Sequence, residues 1–478
     1  MPSPRPAATW FDALLILGVL ILAVLLIGPA LAIGRRIPLN YNEGWNAYWA
    51  VRAIDPAAGP LYPPAGSLVF NNYPPLSFYL VGAIGKYLAG DMIVAGRAVA
   101  LASMLACGAL LLLAVRRLGG SSRASVAAGL LMLVFACTFF REYEAMDDPQ
   151  WLGHAVMLAG LVVLLGKPAL PPPRVAAAAL LILLGGLVKH NLVALPLAVT
   201  LWLGLAHRRA ALVWIATGAA GAGLAAAAAW AFYGPAALHD ILNHARTLQP
   251  GGVLKGAGRL LPLAPMALLA GLLLYRQRQL APVRVASVHL APMRLAVAFV
   301  LIACLTGLAQ RAGAGVAINA QFETLIAVCL AAGLALDHAG SRRFTALAVM
   351  ALPILIVLPR RLPNAWADLT QAQARAQAWR PMITRLASTP DPVACETLAL
   401  CYWAGQPFTV DLFNLTQSVL ARGSNERFTQ MAAQRAFNAV EVTPRSPVHQ
   451  GRDPLMDQLA GYVPALSGPQ GSVLLVRR

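Results

Sequence analysis

The sequence predicts an α-helical, polytopic membrane protein of about 11 transmembrane helices that ends in a small extracytoplasmic α/β domain. Three observations carry this. The 478 residues are 59% hydrophobic and only 12% charged, with a mean hydropathy of +0.65, which no soluble globular class matches. Apolar runs of about 18 or more residues recur throughout, the length a helix needs to cross a bilayer. The basic excess, 37 Lys and Arg against 19 Asp and Glu, sits in alternate short turns between those runs. That placement fits membrane topology and argues against a nucleic-acid partner.

In chain order, the first run covers about 13–33; it is too long for a signal peptide and reads as a retained helix. A long segment, 34–91, follows and is rich in Pro, Tyr, Trp and Asn. The later runs lie near 92–115, 124–140, 151–165, 175–188, 192–206, 211–232, 260–275, 295–308, 322–336 and 344–358. Arg116, Arg117 and Arg123 follow the second run, Lys167 and Arg174 the fourth, and Arg208 and Arg209 the sixth. Arg276, Arg278, Arg284 and Arg294 follow the eighth, and Arg342 and Arg343 the tenth. Under the positive-inside rule these turns and the N-terminus are cytoplasmic. Segment 34–91, the 141–150 loop, the Lys189 turn, the 311–321 loop and everything after about 359 are then outside. The expected organisation is a membrane module, 1–360, with a large first outer loop, and a small extracytoplasmic domain, 361–478. In that domain 365–385 reads as helical and 472–476 as a strand. Four cysteines lie in apolar runs; Cys395 and Cys401 lie in the polar tail, where an oxidising compartment would permit a disulfide.

The polar residues left over gather on the outer side, and ionisable groups at membrane depth are functional candidates by default. Glu43 stands in NEGWNAYWA, 42–50. Asn42 reads as an N-cap with Glu43 in the first helical turn. Trp45, Tyr48 and Trp49 share one face, an interfacial aromatic belt, while Ala47 and Ala50 lie beside Glu43 on a packing face. The plainer reading is an acid that only serves the helix dipole. The 141–151 loop, REYEAMDDPQW, carries Arg141 and four acids. Either Asp147 or Asp148 faces Glu43 across a shared cavity, sharing a proton or a divalent ion with it, or the loop is solvated and Asp148 merely caps the next helix. Lys189, one of four lysines, has no topological role outside; with His190 and Asn191 it forms a donor group suited to a phosphate, or else it anchors a helix end. Tyr73 lies in the stiff stretch NNYPPLSFYL, where it either anchors the interface or stacks on a sugar or isoprenoid. Arg311, Gln321 and Glu323 bracket a Gly/Ala-rich loop whose glycines permit close approach to a ligand. No P-loop, dinucleotide fingerprint, zinc spacing or nucleophile elbow is present.

An acid just after the first helix, a long outer loop with Tyr73-Pro74-Pro75, an acid–Pro loop before the fourth helix and a lysine between the fifth and sixth form an ordered set. With the outer C-terminal domain, this set resembles the GT-C membrane glycosyltransferases. The closest branch is the bacterial relatives of the lipid A aminoarabinose transferase and of protein O-mannosyltransferases. The segment 392–411, with Glu396, Ala404-Gly405 and Asp411, is similar to the tail of such proteins. The resemblance implies an inverting enzyme of the bacterial inner membrane. It would move a sugar from a polyprenyl phosphate to a hydroxyl on a lipid, glycan or protein acceptor, on the outer face. Many members carry Asp-Glu at the first-loop motif, where this chain has Asn42-Glu43, which leaves Glu43 as the local base. The second acidic site maps to Asp147 or Asp148, and Lys189, with His190 and Arg141, to the donor phosphate. Asn42, Tyr73, Arg311, Gln321 and Glu323 would line the cavity. Glu43, Asp147 and Asp148 are the candidate ligands if a divalent cation takes part. Two other classes keep the same bundle: a transporter or flippase of lipid-linked sugars, and a non-catalytic envelope assembly protein. A transporter is expected to show inverted repeats with matched broken helices, and no such pairing is visible.

Overall fold

The computed structural model describes residues 6–166, 169–244, 246–280, 283–423, 425–443, 455–459 and 461–478; Lys167 lies outside them. Nineteen α-helices and four strands follow in chain order among the described residues. The first helices are α1 (Pro6–Leu25) and α2 (Ile27–Ala32), then α3 (Tyr41–Ile54) and α4 (Leu76–Ile84) in the outer segment. The bundle continues with α5 (Met92–Arg117), α6 (Ser122–Phe139), α7 (Gln150–Leu164), α8 (Pro172–Val188), α9 (Ala194–Ala206) and α10 (Arg208–Tyr233). After α11 (Pro235–Leu242) and α12 (Pro250–Leu260) come α13 (Ala264–Leu280), α14 (Val283–Gln310), α15 (Phe322–Leu336) and α16 (Arg343–Ala387). Each apolar run of the sequence lies on one or more of these helices. Seven segments among the described residues are long and apolar enough to cross a membrane, and α7, α8 and α9 are shorter apolar helices beside them. Helices suit this setting because they satisfy their own backbone groups where no water is available.

Small residues set the closest helix crossings. A Cβ on Gly185 of α8 would lie 2.7 Å from the Gly153 carbonyl of α7, and one on Gly160 3.0 Å from the Ala178 carbonyl. Leu224 and Phe232 of α10 and Ile16 and Leu20 of α1 are exposed, as lipid-facing side chains are. Polar caps close several ends: Asp91 accepts from the Ile93 and Val94 amides at α5, and Ser121 from Ala124 at α6. At α3 the cap is Asn40, which accepts from the Asn42 amide, so Asn42 is a helical residue and not the cap expected from sequence.

The C-terminal part holds β1 (Val393–Cys395), α17 (Leu398–Trp403), α18 (Leu412–Arg422), α19 (Glu426–Ala433), β2 (Ala439–Val442), β3 (Tyr462–Ser467) and β4 (Val473–Arg477). The sheet order is β1-β2-β4-β3. β1 and β2 are parallel, which requires a crossover, supplied by the three helices between them. β4 pairs antiparallel with both β2 and β3. The expected helix over 365–385 and strand near 472–476 are both present. Cys395 and Cys401 are disulfide-bonded, tying β1 to α17. The bridge closes a loop of 6 residues' separation. Cys401→Ser should therefore lower the melting free energy of this domain by only about 2 kcal/mol, measured by denaturant unfolding with and without reductant.

Two features were hidden from the sequence. α16 runs unbroken from Arg343 to Ala387, so the expected domain boundary at 360 falls inside one helix. Segment 34–91 and the C-terminal domain also share a core. Trp45, Trp49 and Phe78 pack with Trp379, Ile383, Leu398 and Phe408. The α3 aromatics are accordingly not an interfacial belt: Trp45, Tyr48 and Trp49 are buried. The Tyr48 hydroxyl donates to the Gln406 carbonyl at 2.7 Å, and its ring stacks on Phe408 at 4.7 Å. The face presented to α17 needs Gly44, because a Cβ there would lie 2.1 Å from the backbone of Leu398 and Ala399. Gly44→Val should part α17 from α3, and limited proteolysis should then release the C-terminal domain well before the wild type loses it.

Two buried acids make this domain pH-sensitive. Burial pushes Glu441 of β2 up to about 7, although Ser472 and Thr397 donate to it. Burial raises Asp411, the cap of α18, to about 6. Between the unfolded value and the raised folded one, the folded state binds more protons, so stability falls as pH rises through that window. The melting temperature should be higher at pH about 5 than at about 8, a trend that Glu441→Gln flattens.

Candidate active site

Segment 34–91 places Glu43 in the first turn of α3, where the carboxylate is wholly buried. It faces Arg97 of α5 in a two-pronged ion pair: Nε to Oε1 at 2.7 Å and Nη2 to Oε2 at 2.7 Å. Oε2 also accepts from the Leu39 amide at 2.9 Å and Oε1 from the Asp147 amide at 3.3 Å. Arg97 gives its remaining N–H groups to the carbonyls of Ala32, Arg35 and Ile37. All five donors of the guanidinium are used, which a lysine could not reproduce. One side chain of α5 thus ties the exit of α2, the 35–37 backbone and the start of α3 together.

The 141–150 loop carries the second pair. Lys189, at the C-terminal end of α8, donates to both oxygens of Asp148 at 2.8 and 2.9 Å, and both side chains are about 2% exposed. Burial opposes the ammonium charge, but Asp148 and the Tyr73 hydroxyl outweigh it and raise the Lys189 pKa. The ammonium also lies 4.7 Å over the Tyr73 ring. Asp148 caps the entry to α7 as well, accepting from the Gln150 amide. The cap expected from sequence is therefore present, but in a buried loop paired with Lys189 rather than a solvated one.

Asp147, one residue earlier, is different. Its backbone is held at both ends, the amide on Glu43 and the carbonyl accepting from Asn46 at 2.6 Å. Its carboxylate lies over Gly96 of α5, where any Cβ would collide with it. Oδ2 is buried and has no hydrogen-bond partner. Burial, and then the nearby charges of Glu43 and Asp148, push its pKa well above the ordinary aspartate value.

Glu43, Asp147, Asp148, Lys189 and Tyr73 thus form one connected cluster at the starts of α3, α5 and α7 and the end of α8. The other expected residues sit around it or apart. His190 is exposed, 6.4 Å from the Tyr73 ring. Arg141 is engaged elsewhere, its guanidinium on Asp368 of α16 at 2.7 Å. Asn42 is half-buried on α3. Gln321 donates to the Gly256 carbonyl and Arg311 is partly exposed in the loop after α14. Glu323 accepts from the Ala194 and Leu195 amides and so closes the N-terminus of α9. Among the described residues no group of three His, Cys, Asp or Glu is placed to hold a metal ion; Glu43 and Asp148 each have their own cation. Sequence reasoning missed Arg97, Asn46 and Ser77. Arg97 carried a usable signal, as the one charge in the outer half of a long apolar run.

The fold matches solved structures over nearly its whole length. The crystal structure of ArnT from Cupriavidus metallidurans bound to undecaprenyl phosphate aligns with a TM-score of 0.60 at 13% identity, covering 96% of this chain and 97% of that one. The apo state of the same protein gives 0.61 at 12%, covering 98% of each. An oligosaccharyltransferase from Archaeoglobus fulgidus, tethered with an acceptor peptide, aligns at 0.48 and 12%, covering 96% of this chain and 74% of that one. The chain has the ArnT-like GT-C fold. No protein-family model matches it, and no curated protein matches it.

Proposed function

We propose that this protein is an inverting membrane glycosyltransferase that moves a sugar from a polyprenyl-phosphate donor to an acceptor hydroxyl on the outer face of the membrane. The observation that carries the reading is the convergence of Glu43, the Asp147-Asp148 pair and Lys189 from three separate stretches of chain on one buried cluster. Ionisable groups are not retained at that depth without a task. The likeness to an ArnT structure that holds undecaprenyl phosphate supports a donor of that class.

The chemistry follows from the groups present. The leaving group is a lipid phosphate, a good one, so the reaction needs charge stabilisation more than a strong acid. Lys189, the buried cation on Asp148, is the natural phosphate contact in this reading, with His190 at the rim. The carboxylates serve proton removal and acceptor orientation. Arg141, Arg311, Gln321 and Glu323 join, in this reading, by shaping the surrounding walls. The alternate arginine turns support a cytoplasmic N-terminus in a bacterial inner membrane. The Cys395–Cys401 disulfide supports an oxidising, extracytoplasmic setting for the C-terminal domain.

The test is incubation of the purified protein with labelled polyprenyl-phosphate sugars and an envelope extract. Transfer of one label to an extractable lipid, glycan or protein is expected. Movement of intact lipid-linked sugar across a vesicle, with no bond broken, would replace this reading with a transporter.

A further inference from the structure

Between α3, α4, α5 and the 141–150 loop lies a small cavity lined by Asn46, Ser77, Phe78, Gly96, Asp147 and Leu152. It has room for about one oxygen-sized group. Three of its polar atoms are buried and have no hydrogen-bond partner: Asn46 Oδ1, Ser77 Oγ and Asp147 Oδ2. Their residues are 4%, 3% and 3% exposed, where an unmet polar atom is costly. Three orphans on one cavity wall mark a place for a guest. The guest must donate, because two of the atoms are pure acceptors and the third accepts or donates. A phosphate, which only accepts, does not fit beside a carboxylate and an amide oxygen. A hydroxyl does.

Glu43 and Asp148 cannot do the same work in this arrangement. The four acceptor directions of Glu43 are filled by Arg97, Leu39 and Asp147. Both oxygens of Asp148 are held by Lys189. Only Asp147 offers a carboxylate oxygen with nothing on it. α4, which brings Ser77, exposes Leu76, Tyr79 and Leu80 on its other face.

We infer that this cavity binds the acceptor hydroxyl and that Asp147 Oδ2 is the atom that receives its proton, with Glu43 and Arg97 as positioning residues; the inference rests on the transferase reading above. The step balances. The acceptor oxygen bonds to the anomeric carbon as its proton passes to Asp147. The bond from that carbon to the phosphate oxygen breaks, and the polyprenyl phosphate leaves with the electron pair, beside Lys189. Ser77 Oγ, donating to the acceptor oxygen, holds the hydroxyl in line.

The test uses the full-length protein in nanodiscs, with the labelled donor found active in the assay above and undecaprenyl phosphate as the binding probe. Asp147→Asn should cut transfer by about 100-fold or more while leaving the Kd for undecaprenyl phosphate unchanged. It should also hold or raise the melting temperature, because it removes a desolvated, unpartnered charge; Asp148→Asn, which strands Lys189, should lower it. Ser77→Ala should raise the acceptor KM by about 5- to 10-fold with kcat little changed. Wild-type transfer by Asp147→Asn overturns the assignment, and so does a melting temperature that drops as far as that of Asp148→Asn. A wild-type protein that moves no label from any donor overturns the transferase reading itself.

Discussion

Arg97→Met is expected to be the most damaging single substitution in the buried cluster, lowering stability by about 3–5 kcal/mol. The reason is what it leaves behind. Glu43 is wholly buried and would keep only two backbone amides. Three carbonyls, those of Ala32, Arg35 and Ile37, would lose their donor as well. Breaking a buried pair by removing one partner costs far more than the net worth of the pair. The double variant Glu43→Met/Arg97→Met should accordingly melt above Arg97→Met alone. Transfer activity should remain lost in both, because α3 and the 141–150 loop are no longer held in register through Glu43 and the Asp147 amide. Urea unfolding of the two variants, beside the transfer assay, separates the contributions. A double variant no more stable than the single would show that charge burial is not the source of the cost.

Lys189→Met should have the second-largest effect, and chiefly on function. Transfer is expected to fall by about 100-fold or more, and the affinity for undecaprenyl phosphate by about 10-fold or more, as a charge-assisted contact to the leaving phosphate is lost. Stability should drop too, since Asp148 is left buried with one backbone donor. Adding Asp148→Asn removes that stranded charge. The double variant should recover much of the melting temperature and none of the phosphate affinity. If undecaprenyl phosphate binds the double variant as tightly as the wild type, Lys189 is a structural partner of Asp148 and the phosphate contact lies elsewhere.

Much of the site was legible in the chain because cost is visible in a sequence. Glu43, the aspartate pair and Lys189 stand out as ionisable groups beside apolar runs on the side where topology gives them no role. The same reasoning applies to Arg97, although a single arginine inside an apolar run is easily absorbed into the helix around it. Other features were invisible for a clear physical reason. The aromatic face of α3 has the composition of a membrane belt and of a protein core alike, and only the neighbour decides which. Here the neighbour is α17 with Phe408, from a part of the chain more than 350 residues away, as the Tyr48–Gln406 bond shows with a separation of 358. Glu323 reads as a cavity acid, yet it closes a helix end that sequence spacing cannot bring to it. Asp147 and Asp148 are adjacent and identical in type, so no pattern ranks them. The loop's path sets one carboxylate on Lys189 and the other over Gly96.

By itself the sequence determined where the apolar runs lie, which turns carry the arginines and which few acids and cations must be accounted for, since hydropathy and charge belong to each residue wherever it goes. Only the tertiary structure decided the pairing. Whether a buried carboxylate is neutralised, used as a cap or left with an open oxygen depends on which helix crosses it. That is a property of packing between segments 41 to 104 residues apart.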